Sequence, residues 1–111
     1  MAAGWRRRLR AALYALYRRR GGDPAFPAEE EIEELADLID EGRAEPGAPA
    51  SLTRVTAEAL SGAILQELYL AGARRRPLPP EDQMVPYLLY MAVLPYIGAD
   101  AASEELRVPP P

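Results

Sequence analysis

Met84–Ala99 reads MVPYLLYMAVLPYIGA, sixteen consecutive residues without a charge. The run is shorter than the roughly 20 residues a membrane-spanning helix needs, contains Pro86 and Pro95, and has acidic flanks, so it does not read as a span. It reads as a buried helix that is apolar nearly all round, from about Pro80 to Ile97. Glu81 and Asp82 fall in its first turn, where carboxylates suit the helix dipole. Pro86 lies near its start, where a missing N–H matters less. Pro95 lies well inside and should bend or end the helix. Gly98 then permits a turn into a short last helix, about Ala99 to Leu106, before the tail Val108-Pro109-Pro110-Pro111.

Such a helix needs apolar cover, and the segments before it carry the 3.6-residue period that supplies it. A helix starts near Thr53 or Thr56 and runs to about Gly72 or Arg74, with Leu60, Ile64, Leu68 and Ala71 as its stripe and Leu65 and Tyr69 beside it. Upstream, Pro27 is placed to open a helix over about Ala28 to Glu41, with Glu29, Glu30 and Glu31 in its first turn. Ile32, Leu35, Ala36, Leu38 and Ile39 form its stripe, and Gly42 is expected as its C-terminal cap. The first helix spans about Ala2 to Arg20, with Trp5, Leu9, Ala12, Leu13, Leu16 and Tyr17 on one face and Gly21-Gly22 as its stop. There is no β-period alternation, internal repeat or Gly-rich phosphate loop. The expected fold is all-α: one domain over residues 1–111, a four-helix-type bundle plus a short C-terminal helix.

Composition narrows the chemistry. The 111 residues fit one domain, and 49% apolar content suits a globule. Without Cys there is no disulfide or thiolate metal site, and without His the commonest general base and metal ligand are missing. Ser51, Thr53, Thr56, Ser61 and Ser103 therefore have no imidazole to activate them, and Glu29-Glu30-Glu31 and Glu33-Glu34 read as a solvated face. No enzyme activity, cofactor or metal is expected. Net charge is −4 but uneven: residues 1–20 hold seven Arg and no acid, residues 21–45 ten acids and one Arg. Either the first two helices attract each other or both charges face water. The Arg cluster (Arg6, Arg7, Arg8, Arg10, Arg18, Arg19, Arg20) with Trp5, Leu9, Leu13, Leu16 and Tyr17 also fits a helix lying on a membrane surface or a partner. With neither a spanning helix nor a secretory signal, a cytoplasmic location is expected.

Two stretches carry a family resemblance: LADLIDEGR at Leu35–Arg43, followed after a Pro-rich gap by TAEALSGAILQELY at Thr56–Tyr69, and LPPEDQMVPYLLYMAVLPYIGADAA at Leu78–Ala102. In order and spacing they resemble the closing helices of TetR/AcrR-type transcriptional regulators. Trp5–Arg20, WRRRLRAALYALYRRR, is similar to the helix that begins the regulatory core of that family. The resemblance implies a ligand-sensing and dimerisation domain whose last two long helices build a four-helix interface with a second copy. It also implies a pocket for a small apolar ligand. DNA would be reached only through a helix-turn-helix, which these residues do not include. The alternative is a stand-alone helical protein that binds a partner or membrane surface through its Arg-rich first helix.

Two residue sets follow. Trp5, Tyr14, Tyr17, Phe26, Tyr69, Tyr87, Tyr90 and Met91 are the candidate pocket lining, although the same residues suit plain core. The candidate dimer interface joins small Ala59, Gly62 and Ala63 with Leu60 and Ile64 on the third helix. To these it adds two stripes of the fourth: Met84, Leu88 and Met91, and Val85, Leu89 and Ala92. One stripe can be covered by the chain's own core; the other is left for a homodimer partner.

Overall fold

A computed structural model describes residues 2–21, 23–74 and 76–111, the side chains of Ala2 and Ala3 excepted. It is all-helical: α1 (Ala2–Arg20), α2 (Glu29–Asp40), α3 (Arg54–Ala73) and α4 (Glu81–Ser103), with no strand among the described residues. A 3-10 turn, Glu41–Ala44, extends α2, and a second, Glu104–Arg107, follows α4. Each start has a local cause. The Thr53 hydroxyl accepts from Val55 N–H and caps α3. The Glu31 carboxylate accepts from Ala28 N–H at 3.4 Å, half of a capping box whose other half Ala28 cannot supply. Gly22 of the expected α1 stop and Arg75 of the Arg-Pro break before α4 lie outside the described residues.

The core forms where the four apolar stripes converge. Trp5, Leu9, Leu13 and Leu16 of α1 meet Leu35 and Ile39 of α2, Ile64, Leu65 and Leu68 of α3, and Val85, Leu89, Val93 and Tyr96 of α4. Trp5 is central. Its Nε1 donates to Leu38 C=O at 2.7 Å, and its ring meets Tyr96 edge-on, centroids 5.5 Å apart. Ser61, buried in α3, donates to Ile32 C=O at 2.7 Å and ties α3 to α2. The Cα radius of gyration is 13.5 Å, as expected of a single compact domain this long, about 13 Å.

Three local expectations are corrected. Gly42 is not a left-handed cap; it lies buried in the 3-10 turn, where an added Cβ would fall 2.5 Å from the Trp5 ring and 2.7 Å from that of Tyr96. Its smallness serves ring packing. Tyr14, placed off the α1 core stripe by period, is fully buried. Helical geometry continues past Pro95 to the residue that breaks it, Gly98, at φ 83° and ψ 167°. Proline costs one backbone bond, whereas this backbone conformation is open essentially to glycine alone. Glu81–Arg107 is long and apolar enough to match a membrane span by length and composition. It is nevertheless interrupted at Gly98, and Val85, Leu89, Ala92, Val93 and Tyr96 fill the chain's own core.

The charges are distributed more widely than mutual attraction of α1 and α2 requires. Arg8 meets Glu41 at 2.7 Å and Arg20 meets Glu31 at 3.4 Å, but Arg18 grips Glu81 of α4 with two bonds of 2.9 Å. The acids of α2 turn instead to Arg54 of α3, which reaches Glu33 and Asp37, while Arg43 holds Asp40. Apart from Arg20–Glu31, whose arginine side chain is 10% exposed, these are surface pairs that solvent screens, and each contributes little. Arg6 and Arg10 differ: both converge on Glu105, whose side chain is 1% exposed.

Candidate functional site

The face shared by α3 and α4 combines cavities and projections. Residues 59, 62 and 63 follow one face of α3 at helical spacing, and all three are small: Ala59 and Ala63 are exposed, Gly62 half-buried. No heavy atom lies within 4 Å of a Cβ built on Gly62. Packing within the chain therefore gives no reason for glycine there, although mid-helix glycine costs about 0.5–1 kcal/mol relative to alanine. Ala63 lines a groove with Tyr87 (62% exposed) and Met91 (46%), which project from α4, and Val55 (68%) projects from the start of α3.

Between the two helices runs a groove of about 420 Å³ lined by Ala63, Ile64, Glu67, Pro79, Gln83, Met84, Tyr87, Leu88 and Met91. A second hollow of about 270 Å³, sharing Glu67, Pro79 and Met84, continues it towards Arg76 and Pro77. The lining is chiefly apolar, with two flexible thioethers that can adapt to what covers them. Glu67 is its one carboxylate, and no cation pairs with it among the described residues.

The structure divides the expected interface. Met84, Leu88 and Met91 line the groove, with Ala63 and Ile64 opposite. Leu60 and Gly62 are half-buried and Ala59 is exposed on the same helix. Val85, Leu89 and Ala92 are buried in the chain's own core and Ile64 is 99% covered, so these four offer a partner almost no surface. Of the two α4 stripes, one is core; in the other Leu88 too is buried, 7% exposed, Met84 is half-buried, and Met91 alone is exposed. Tyr87, Gln83, Pro79, Glu67 and Val55 were absent from the interface set. A one-residue phase step from Leu88 along α4 points to Tyr87, but nothing in the helical period marks Pro79, which comes from the preceding loop.

Among the described residues the expected pocket lining is spread over several places. Trp5 and Tyr14 are core residues, and the Arg18 guanidinium sits 5.7 Å from the Tyr14 ring centre. Tyr17 donates its hydroxyl to Pro79 C=O at 2.5 Å, joining α1 to the loop before α4. Phe26, on the loop before α2, meets the Tyr69 ring edge-on at 5.1 Å, and Tyr90 is half-buried. Of the eight, Tyr87 and Met91 share the α3–α4 groove. The physical reason is that aromatic residues repeating at helical spacing on α1 lie on its core-facing side. The stripe Trp5, Leu9, Leu13 and Leu16 is likewise buried, so it has no surface to offer a membrane in this fold. No cluster of three or more acids capable of holding a metal ion occurs among the described residues.

No family model, curated protein or solved structure matches the chain.

Proposed function

We propose that the chain is a homodimerisation module of a TetR/AcrR-like regulator, pairing through the α3–α4 face and acting by association rather than catalysis. The observation that carries this is the apolar α3–α4 groove, where small Ala63 lies among projecting Tyr87 and Met91, with the open Cβ position of Gly62 on the same helix. Hollow and projection lie side by side on one surface. Such a surface is self-complementary under a two-fold axis, because each copy offers a knob where the other has a hole. Burying Met91, Tyr87 and Val55 removes the largest exposed side chains of α3 and α4 from water. The groove is also the best seat for the small apolar ligand that the resemblance implies, at the seam rather than inside one bundle.

The absence of natural cysteine allows a direct test. Single-cysteine variants Ala59→Cys, Gly62→Cys and Ala63→Cys are oxidised beside Ala11→Cys, which is exposed on α1. At least one of the three should form an interchain disulfide much faster than the α1 control. Equal, slow cross-linking at all four positions would refute the reading.

A further inference from the structure

Glu105 is the acid that the fold buries most deeply, and its setting resembles a ligand site occupied from within. Arg10 donates through Nε and Nη2 to Oε1, at 3.0 and 2.6 Å, and Arg6 Nε donates to Oε2 at 2.8 Å. Arg6 Nη2 also reaches Ala101 C=O and Glu104. Arg7, next on the same helical turn, makes no ion pair among the described residues, and Nη1 of Arg6 and Nη1 of Arg10 donate no hydrogen bond to them. A hollow of about 300 Å³ opens beside them.

The segment carrying Glu105 is fastened mainly by charge. It leaves α4 at Gly98, whose backbone conformation is non-helical and whose Cβ position is open. From Ala99 to Arg107 its only fully buried apolar side chain is that of Ala102, while Leu106 is 38% exposed. An ionic fastening differs from an apolar one in that another anion can compete for it. Guanidinium forks match phosphate oxygens bidentately, and a dianion brings on one group the two negative charges that Glu104 and Glu105 supply from the chain.

We propose that Ala99–Arg107 is a latch, hinged at Gly98, whose Glu105 keeps closed a site for a phosphate-type dianion formed by Arg6, Arg7 and Arg10. When closed, three guanidinia face Glu104 and Glu105. Opening removes both carboxylates and leaves three positive charges on adjacent positions of one helix. The site lies on α1, and the inference does not rest on the dimer.

The test titrates inorganic phosphate into the full chain at constant ionic strength, with chloride as the balancing anion, and follows amide hydrogen exchange at residues 102–107. Phosphate should speed exchange there at least tenfold where chloride does not. Glu105→Gln should bind phosphate at least tenfold more tightly than the unmodified chain, and Glu105→Gln/Arg10→Ala should lose that gain. If phosphatidylcholine vesicles retain Glu105→Gln only when they contain phosphatidic acid, and free phosphate is not bound, the dianion is a lipid headgroup. Equal affinity of the unmodified chain and Glu105→Gln for both probes would overturn the proposal. Should the variant fail to fold, identical exchange of the unmodified chain in phosphate and chloride would overturn it equally.

Discussion

The hydroxyls of Tyr14 and Tyr96 are buried without a hydrogen-bond partner, whereas Trp5 donates to Leu38 C=O. That contrast separates rings retained for their apolar bulk from one with a polar role as well. Burial pushes the Tyr14 and Tyr96 hydroxyls above the ordinary tyrosine range, the neutral form being the one the core tolerates. Removing an unpaired buried hydroxyl removes its desolvation cost. Tyr96→Phe should therefore leave stability unchanged or raise it by up to about 1 kcal/mol, whereas Trp5→Ala should cost about 3–5 kcal/mol, read by urea denaturation. A loss above about 2 kcal/mol for Tyr96→Phe would mean that the hydroxyl has a partner. Charged residues give a second expectation. The hydrogen bond from Arg43 holds the Asp40 carboxyl below its ordinary 3.8, burial opposing it, and Arg18 holds Glu81 below 4.5. Both carboxylates thus take up protons more readily when unfolded. Their contribution is fully present above about pH 5 and is lost as pH falls through those values to the lower folded ones. The melting temperature should drop between about pH 5 and pH 3, and Arg43→Ala should flatten the drop. An unchanged acid slope in that variant would exclude Asp40 as a source.

At the level of elements, the four helices were legible because each repeats apolar residues every 3.6 positions, but residue type left Thr53 and Thr56 both open as the start of α3, and Thr53 is the cap. The break in α4 was legible only in part. Pro95 and Gly98 both announce an interruption, and what decides between them is backbone conformation: helix survives one missing N–H, but φ 83° with ψ 167° excludes a Cβ. Gly98→Ala should accordingly destabilise the chain by about 1–3 kcal/mol, and Gly62→Ala, at an open helical position, should be neutral or stabilising within one chain. Thermal denaturation of the two variants side by side checks this. Equal effects would contradict the backbone account of the hinge. The buried Arg6–Glu105–Arg10 cluster had no counterpart in the sequence reading. Glu105 falls three positions after Ala102 on a short polar stretch, and nothing local shows that a helix nearly a hundred residues away supplies its counter-ions.

For the whole molecule, the position of the exposed face was readable in outline. An α4 with two apolar stripes leaves one less covered, the stripe of Met84, Leu88 and Met91 that lines the groove, although Leu88 is buried there and Met91 alone is exposed. Which stripe faced inward could not be read, because both have the same period and similar bulk. The eight candidate pocket residues are spread for a related reason: aromatic spacing fixes a face of a helix, not what lies opposite it. Leu89, buried in the core, and Met91, exposed on the groove, now make distinct probes. Leu89→Arg should unfold or aggregate the chain by burying an unpaired charge, whereas Met91→Arg should fold normally and lose only the partner. Sedimentation equilibrium of the unmodified chain and of Met91→Arg, at tens of micromolar and neutral pH, is the most direct test of pairing through α3 and α4. The unmodified chain should sediment at twice its 12.2 kDa mass and Met91→Arg at 12.2 kDa; a folded, unmodified chain that remains at 12.2 kDa would contradict the account.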